Sequence, residues 1–197
     1  MKKLAMCCLL VMCLGACGDS EESKGDTLYN AGKYREAIAA YDEFIKLNPA
    51  DVKSLYNRGR SYEELGEFDK AFADFQLVLE HDKKNTNAFL SLAKHYYRLG
   101  KFENALFNAQ KGVKFNDQLA EAYFWEGRSL YQLGKFQEAL TSYNNSINLD
   151  KDLGEAYLYR GAIKVQLNRT KSACSDFKSA NNLGVDEAKV ALNTYCK

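Results

Sequence analysis

Apolar and polar positions recur along this chain with a period of 34 residues. An apolar segment ends in a glycine, an aromatic residue follows two positions later, and an alanine follows three positions after that. The series are Gly32, Gly66, Gly100 and Gly134, then Tyr34, Phe68, Phe102 and Phe136, then Ala37, Ala71, Ala105 and Ala139. The apolar residues between them keep the spacing of one helix face, and a glycine after such a segment favours a helix end. The pattern predicts two helices per period.

A fifth copy of the pattern is degenerate. It keeps only Leu167, Ala173 and Phe177, and it has Asn168 and Thr170 where the other copies have the glycine and the aromatic residue. This copy therefore lacks the two residues that mark the turn in the other four.

This period and pattern resemble the tetratricopeptide repeat, a pair of antiparallel helices in each unit. The resemblance implies an all-α fold, a TPR-type right-handed superhelical solenoid of antiparallel helix pairs. It assigns residues 20–184 to about five repeats. A solenoid must cover its exposed apolar end, and residues 185–197 are amphipathic, so we expect a C-terminal capping helix there.

Two features of the first helix in each unit bear on packing. Small residues recur at one position, where we expect them to meet the small alanines of the second helix: Gly25, Gly59, Ala93, Gly127 and Gly161. Arg58, Glu126 and Arg160 stand where the family prefers leucine, and only Leu92 conforms. We expect the fold to tolerate these departures, because the small and aromatic positions carry the packing.

The N-terminal residues have the layout of a signal peptide. Lys2 and Lys3 precede an uncharged segment at residues 4–16, which ends in the small residues Gly15 and Ala16. These thirteen residues are too few for a membrane-spanning helix, which needs about 20. Three cysteines lie inside the segment and need no role beyond that of small hydrophobic residues: Cys7, Cys8 and Cys13.

Cys17 stands where cleavage is expected. The sequence LGAC at residues 14–17 resembles the bacterial lipobox, in which the cysteine is acylated and becomes the new N-terminus. The resemblance implies a lipoprotein signal peptide at 1–16, a lipidated N-terminus and short tether at 17–19, and palmitate-type anchoring in the cell envelope. We expect the outer membrane, on its periplasmic or surface face. The alternative is that Cys17 is one more cysteine of the signal.

Two further cysteines lie near the C-terminus. If residues 171–183 and 186–196 pair as antiparallel helices around Gly184, Cys174 and Cys196 come nearly opposite each other. An exported protein meets an oxidising compartment, so we predict a disulfide between them. The alternative is a pair of buried thiols.

Motifs for chemistry are absent from the sequence. His81 and His95 have no cysteine or carboxylate at ligand spacing, and neither a phosphate-binding glycine loop nor a G-x-S-x-G elbow occurs. We therefore expect no enzyme activity, no cofactor and no metal. The 197-residue chain has a net charge of +1, so its overall charge does not favour a nucleic-acid partner.

Binding is the remaining function. In tetratricopeptide solenoids the first helix of each pair lines a concave groove, and one register of those helices gives a basic column, Arg60, Lys94 and Arg128. Aromatic and amide residues flank this column: Tyr56, Asn57, Tyr97, Phe124, Trp125, Tyr131 and Tyr159. Cations beside aromatic rings suit an acidic or carboxylate-bearing protein or peptide. The pattern is not the carboxylate clamp of chaperone-binding relatives, which has asparagine where Arg60 and Arg128 stand.

Two functions remain open from the sequence, and an enzyme is kept only as a third alternative. The first is a membrane-anchored adaptor that binds a partner protein or peptide in its groove. The second is a structural subunit of an envelope assembly complex that uses its convex face. Tyrosine and arginine are also common on helix surfaces, so the groove residues alone do not decide between them.

Overall fold

The computed structural model describes the backbone of residues 21–196 and the side chains of residues 24–196. Eleven α-helices and no strands lie within these residues. The helices are α1 (Glu21–Asn30), α2 (Tyr34–Leu47), α3 (Val52–Glu64), α4 (Phe68–His81), α5 (Thr86–Arg98), α6 (Phe102–Phe115), α7 (Ala120–Gln132), α8 (Phe136–Leu149), α9 (Gly154–Gln166), α10 (Thr170–Asn182) and α11 (Asp186–Tyr195). None of these described helices is long and apolar enough to cross a bilayer. The predicted signal peptide at 1–16 and the lipidated tether at 17–19 lie outside the described residues.

The helices form five pairs stacked in chain order. Each odd-numbered helix from α1 to α9 packs against the even-numbered helix that follows it, and each pair packs against the next. The first helices of neighbouring pairs also touch, as α5 does α7 and α7 does α9. This is the all-α solenoid that the sequence predicts, so the fold prediction is confirmed. The surface that the first helices form away from their partners is called the groove below.

The turns between paired helices use a left-handed residue. The four glycines of the repeat have φ near +70°, as in Gly66 at +74°. Glycine adopts this conformation at little cost. In the degenerate fifth copy Asn168 takes the same conformation with φ +58°, because asparagine tolerates the left-handed region better than most residues. The fifth turn therefore keeps the geometry of the other four without a glycine.

The contact between the two helices of a repeat differs from the expected one. The alanines of the second helices are buried, but the glycines of the first helices in four repeats face aromatic rings, so the expected small-to-small contact is wrong for these four. A Cβ atom added to Gly59 would lie 2.8 Å from the ring of Phe75. In the third repeat Ala93 replaces the glycine, and Ala109 stands in place of the ring. Each small residue thus makes room for its partner 16 positions later.

A second column of side chains ties neighbouring repeats together, and we call it the bridging column: Arg58, Leu92, Glu126 and Arg160. The Nε of Arg58 donates to Asp74 of the same repeat at 2.8 Å, and its Nη1 donates to Asp42 of the preceding repeat at 2.8 Å. The hydrogen bonds with Asp74 raise the pKa of Arg58 above its usual value. A residue that departs from the family pattern therefore serves the fold.

The other charged members of the bridging column follow the same plan. Arg160 donates to Asp176 at 3.0 Å and to Asn144 of the preceding repeat at 2.8 Å. Glu126 accepts a hydrogen bond from the hydroxyl of Ser142 at 2.8 Å. In each case the partner in the same repeat lies 16 residues later.

The last helix closes the stack. Helix α11 packs against α9 and α10, and Ala188 is its buried residue. A disulfide joins Cys174 of α10 to Cys196 at the end of α11. The rings of Phe177 and Tyr195 stack with their centres 6.3 Å apart. These contacts hold α11 against the apolar end of the solenoid.

Candidate binding groove

The three cations of the basic column have different surroundings. The Nε of Arg60 lies 3.1 Å from Glu63, and its Nη2 lies 3.8 Å from Glu64. The Nζ of Lys94 lies 2.5 Å from Glu121. Both positive charges are therefore neutralised by acids within the chain.

Arg128 has no ion pair with any residue that the structure describes. Its guanidinium carbon lies over aromatic rings instead, 4.4 Å from the ring centre of Tyr159, 4.6 Å from that of Tyr97 and 5.2 Å from that of Trp125. A cation over a ring gains about 0.5 to 2 kcal/mol, depending on how far it is desolvated. These contacts position the positive charge without neutralising it.

The rings come from three successive repeats. Tyr97 lies on α5, Trp125 and Arg128 on α7, and Tyr159 on α9, and we call these four residues the arginine–aromatic site. The hydroxyl of Tyr97 accepts a hydrogen bond from Nη2 of Arg128 at 3.1 Å and another from Nε2 of Gln132 at 3.0 Å. The stacking of the first helices thus assembles the site, and Tyr97 fixes the guanidinium.

Three buried polar atoms at this site have no hydrogen-bond partner within the described part of the chain. They are the Nε of Arg128, the Nε1 of Trp125 and the hydroxyl of Tyr143, whose ring stacks on that of Tyr159 with centres 6.2 Å apart. Arginine and tryptophan nitrogens can only donate. Burial raises the pKa of Tyr143 well above its usual value, so its hydroxyl also keeps its proton. Three donors on the buried side of the site therefore lack an acceptor.

Several of the groove residues expected from the sequence pack or form hydrogen bonds within the protein instead. Phe124 is only 3% exposed and belongs to the core, so the prediction that it contacts a partner is wrong. Asn57 donates to Asp26 of α1 at 2.9 Å and so joins the first two repeats. Tyr56 is half-buried, with its ring centre 5.5 Å from that of Phe75. Of the ten candidates, the structure gathers the four members of the arginine–aromatic site into one cluster.

Tyr131 belongs to a neighbouring feature that the sequence reasoning missed. It lines a cavity of about 240 Å³ at the C-terminal end of the groove, which we call the end pocket. The other lining residues used below are Leu158, Ala162, Val165, Ala191 and Tyr195. The sequence did contain a signal for this pocket. The residue 34 positions after Arg128, in the register of the basic column, is the small Ala162, which leaves space in the groove.

A second cavity lies away from the groove. It has a volume of about 420 Å³ between α4, α5 and α6, and Leu79, Leu92 and Phe107 are among its lining residues. The bridging column has the short Leu92 here in place of an arginine or glutamate. Phe107 is 56% exposed, which is unusual for so large an apolar side chain.

Comparison with known proteins agrees with the fold. The family model described as tetratricopeptide repeat matches residues 23–88, and one described as TPR repeat matches residues 127–168, together more than half of the chain. The chain is 48% identical over 48 residues to Hsp70-Hsp90 organizing protein 1 of Arabidopsis thaliana. That match covers 24% of this chain and only 8% of the plant protein.

Solved structures share the fold over most of the chain. MamA from Desulfovibrio magneticus RS-1 superposes with a TM-score of 0.74 at 19% identity, covering 85% of this chain and 97% of that one. YrrB, titled a TPR protein with an unusual peptide-binding site, gives a TM-score of 0.71 at 22% identity, covering 88% and 90%. With the 34-residue period, the stacked helix pairs and the two family matches, the chain belongs to the tetratricopeptide repeat proteins.

Proposed function

We propose that this protein is an adaptor that binds a partner protein or peptide in its groove by a carboxylate of that partner. The observation that carries the proposal is Arg128, whose charge no acid of the described chain neutralises. Carboxylates form the strongest hydrogen bonds with guanidinium groups, often two at once. Trp125 and the tyrosines beside it supply rigid rings for the partner to cover. The role assigned is binding and not catalysis.

Relatives with related folds support a peptide as the ligand. YrrB is titled as having a peptide-binding site, and the plant relative is named as an organizing protein for two chaperones. Neither name identifies the partner of this chain. The chemistry of the arginine–aromatic site narrows the class to an acidic or carboxylate-bearing segment.

The test is selection from a displayed library of random linear peptides. We expect peptides selected on the native protein to be rich in Asp and Glu and to lose binding to Arg128→Gln at least tenfold, as for a charge-assisted hydrogen bond. Arg60→Gln is the matched control, because this cation already has acidic partners. Equal loss in both variants would indicate a diffuse positive field, and no loss in Arg128→Gln would reject the site.

The lipid anchor is a second part of the proposal, supported by the signal-like residues 1–16 and by Cys17. Helix α1 begins at Glu21, so an acylated Cys17 would hold the first repeat close to a bilayer. We place the protein in the cell envelope, at the outer membrane. In cells fed labelled palmitate, the native protein should incorporate label and sediment with membranes. A Cys17→Ser protein that still does both would contradict the anchor.

A structural subunit that uses the convex face is the alternative function. The exposed Phe107 beside the cavity of α4, α5 and α6 favours it. A crosslinking pull-down separates the two functions. If the groove carries the partner, Arg128→Glu should lose it and Phe107→Ser should keep it, whereas the reverse result would identify the convex face.

A further inference from the structure

We propose that the end pocket binds one large apolar side chain of the same partner, two residues away from the carboxylate that pairs with Arg128. The inference rests on the proposed function and names a second recognition element for it. It predicts a motif in which Asp or Glu, or a terminal carboxylate, stands two positions from Leu, Met or Phe.

The size and lining of the end pocket indicate a single side chain. Its volume of about 240 Å³ is lined mainly by apolar and aromatic residues, among them Leu158, Ala162 and Val165 of α9 and Tyr131 of α7, with Gln166 as a polar member of the lining. An apolar cavity of about 150 Å³ holds one benzene molecule. Drug-sized ligands need about 300 to 1,000 Å³. The pocket therefore has room for one leucine or phenylalanine side chain.

The distance from Arg128 to the pocket sets the spacing of the motif. Tyr131 lies one helical turn beyond Arg128 on α7, and Ala162 lies one turn beyond Tyr159 on α9. The guanidinium of Arg128 already lies over the ring of Tyr159 on α9, at 4.4 Å, so about one turn, or about 5.4 Å, separates it from the pocket. An extended peptide advances about 3.3 Å per residue and turns alternate side chains to the same face. A carboxylate and an apolar side chain two residues apart can thus reach both places together.

The capping helix completes the pocket. Ala191 and Tyr195 of α11 form one wall, and the disulfide from Cys174 to Cys196 fixes the end of that helix. The cap therefore has a second role besides covering the end of the solenoid. It gives the groove an apolar site beside its unpaired cation.

The first experiment changes the peptide and leaves the protein intact. The probe is an Arg128-dependent peptide from the library, synthesised with blocked ends, and Trp125 reports binding because it is the one tryptophan of the chain. We expect replacement of its Asp by Asn to weaken binding about tenfold or more, and replacement of the apolar residue two positions away by Ala to do the same. An Asn peptide with a free C-terminus tests whether a terminal carboxylate can replace the side chain.

The second experiment fills the pocket. Ala162→Phe should remove the tenfold preference for the apolar residue and keep the preference for Asp over Asn. Ala39→Phe, on the exposed surface of α2, is the matched control, and circular dichroism verifies that both variants fold.

The outcomes distinguish this inference from the proposed function. Binding that needs Arg128 and Asp but is indifferent to the apolar residue and to Ala162→Phe overturns the inference alone. A library that yields no Arg128-dependent peptide overturns both.

Discussion

Arg58 and Arg128 lie on first helices of the same solenoid, yet their surroundings are opposite. Arg58 is 17% exposed and donates to two aspartates, one of them only 4% exposed. Arg128 lies among four rings and meets no acid within the described residues. A cation whose counter-charge lies inside the chain is part of the fold. A cation held in place by neutral groups can take its counter-charge from a partner.

The energetic consequences of the two arrangements differ as well. Removing one member of a buried ion pair leaves a buried charge without compensation, which costs about 3 to 5 kcal/mol. Removing Arg128 leaves no such charge behind, because its neighbours are neutral rings and hydroxyls. Replacing Arg58 should therefore lower the free energy of unfolding strongly. Replacing Arg128 should mainly weaken the binding of a partner.

The largest expected effect is the loss of stability in Arg58→Met. The substitution leaves Asp74 buried and unpaired, and we expect the free energy of unfolding to fall by about 3 to 5 kcal/mol. Arg128→Met should lower it by about 2 kcal/mol or less, because contacts with rings are lost but no buried charge is left behind. Urea denaturation followed by circular dichroism measures both. Equal losses in the free energy of unfolding would contradict the view that Arg58 serves the fold and that Arg128 serves binding.

Removal of the disulfide should have the next largest effect. The two cysteines are 22 residues apart, and closing a loop of this size stabilises a protein by about 3 kcal/mol. The variant with both Cys174→Ser and Cys196→Ser should lose about that amount and loosen α11. Peptide titrations below its melting temperature should show a reduced preference for an apolar residue and unchanged dependence on Arg128. If the variant keeps its full preference for an apolar residue, the capping helix does not contribute to the end pocket.

The third prediction concerns a double variant that replaces Arg58 and Asp74 by the residues found at the equivalent positions of another repeat. The third repeat has Leu92 and Asn108 at the positions of Arg58 and Asp74. Arg58→Leu with Asp74→Asn removes both charges together, so the loss should be no more than about 1 to 2 kcal/mol. A thermal melt beside Arg58→Leu alone makes the comparison. A double variant as unstable as the single one would show that the buried charge is not the cause.

The smallest expected effect concerns Glu126, the acidic member of the bridging column. Burial raises the pKa of its carboxyl group, and the hydrogen bond from Ser142 offsets this only in part. The folded protein therefore holds that proton more tightly than the unfolded chain, so ionisation of Glu126 at neutral pH opposes folding. Glu126→Gln should raise the melting temperature slightly at neutral pH. The gain should vanish as the pH falls through the pKa of the folded protein, and a gain that persists in acid would contradict this origin.

The fold was predictable because the residues that determine packing recur at equivalent positions in successive repeats. Glycine at the turn, the aromatic after it and the buried alanine recur in register, and the helices follow that register. The contacts 16 residues apart were present in the sequence too, as in Gly59 with Phe75 and Arg58 with Asp74. They are recognisable only when two columns are compared, because neither member indicates its partner alone.

The candidate site was only partly predictable. The basic column follows from the register, but which of its cations is neutralised depends on side-chain reach. Lys94 finds Glu121 on the next first helix, whereas Arg128 finds rings. Phe124 and Tyr159 both look like groove aromatics in the sequence, and only the packing shows that Phe124 is buried in the core. The end pocket also needs α11. This helix follows the last repeat, so the repeat pattern does not predict its position.

The most direct test of the central claim is a double-mutant cycle between Arg128 and the acidic residue of a selected peptide. Binding is followed by the fluorescence of Trp125 for the native protein and Arg128→Gln, each with the Asp peptide and its Asn counterpart. If the carboxylate pairs with Arg128, the two changes should be coupled by about 1.5 kcal/mol or more. Additive effects with no coupling would show that the carboxylate binds elsewhere.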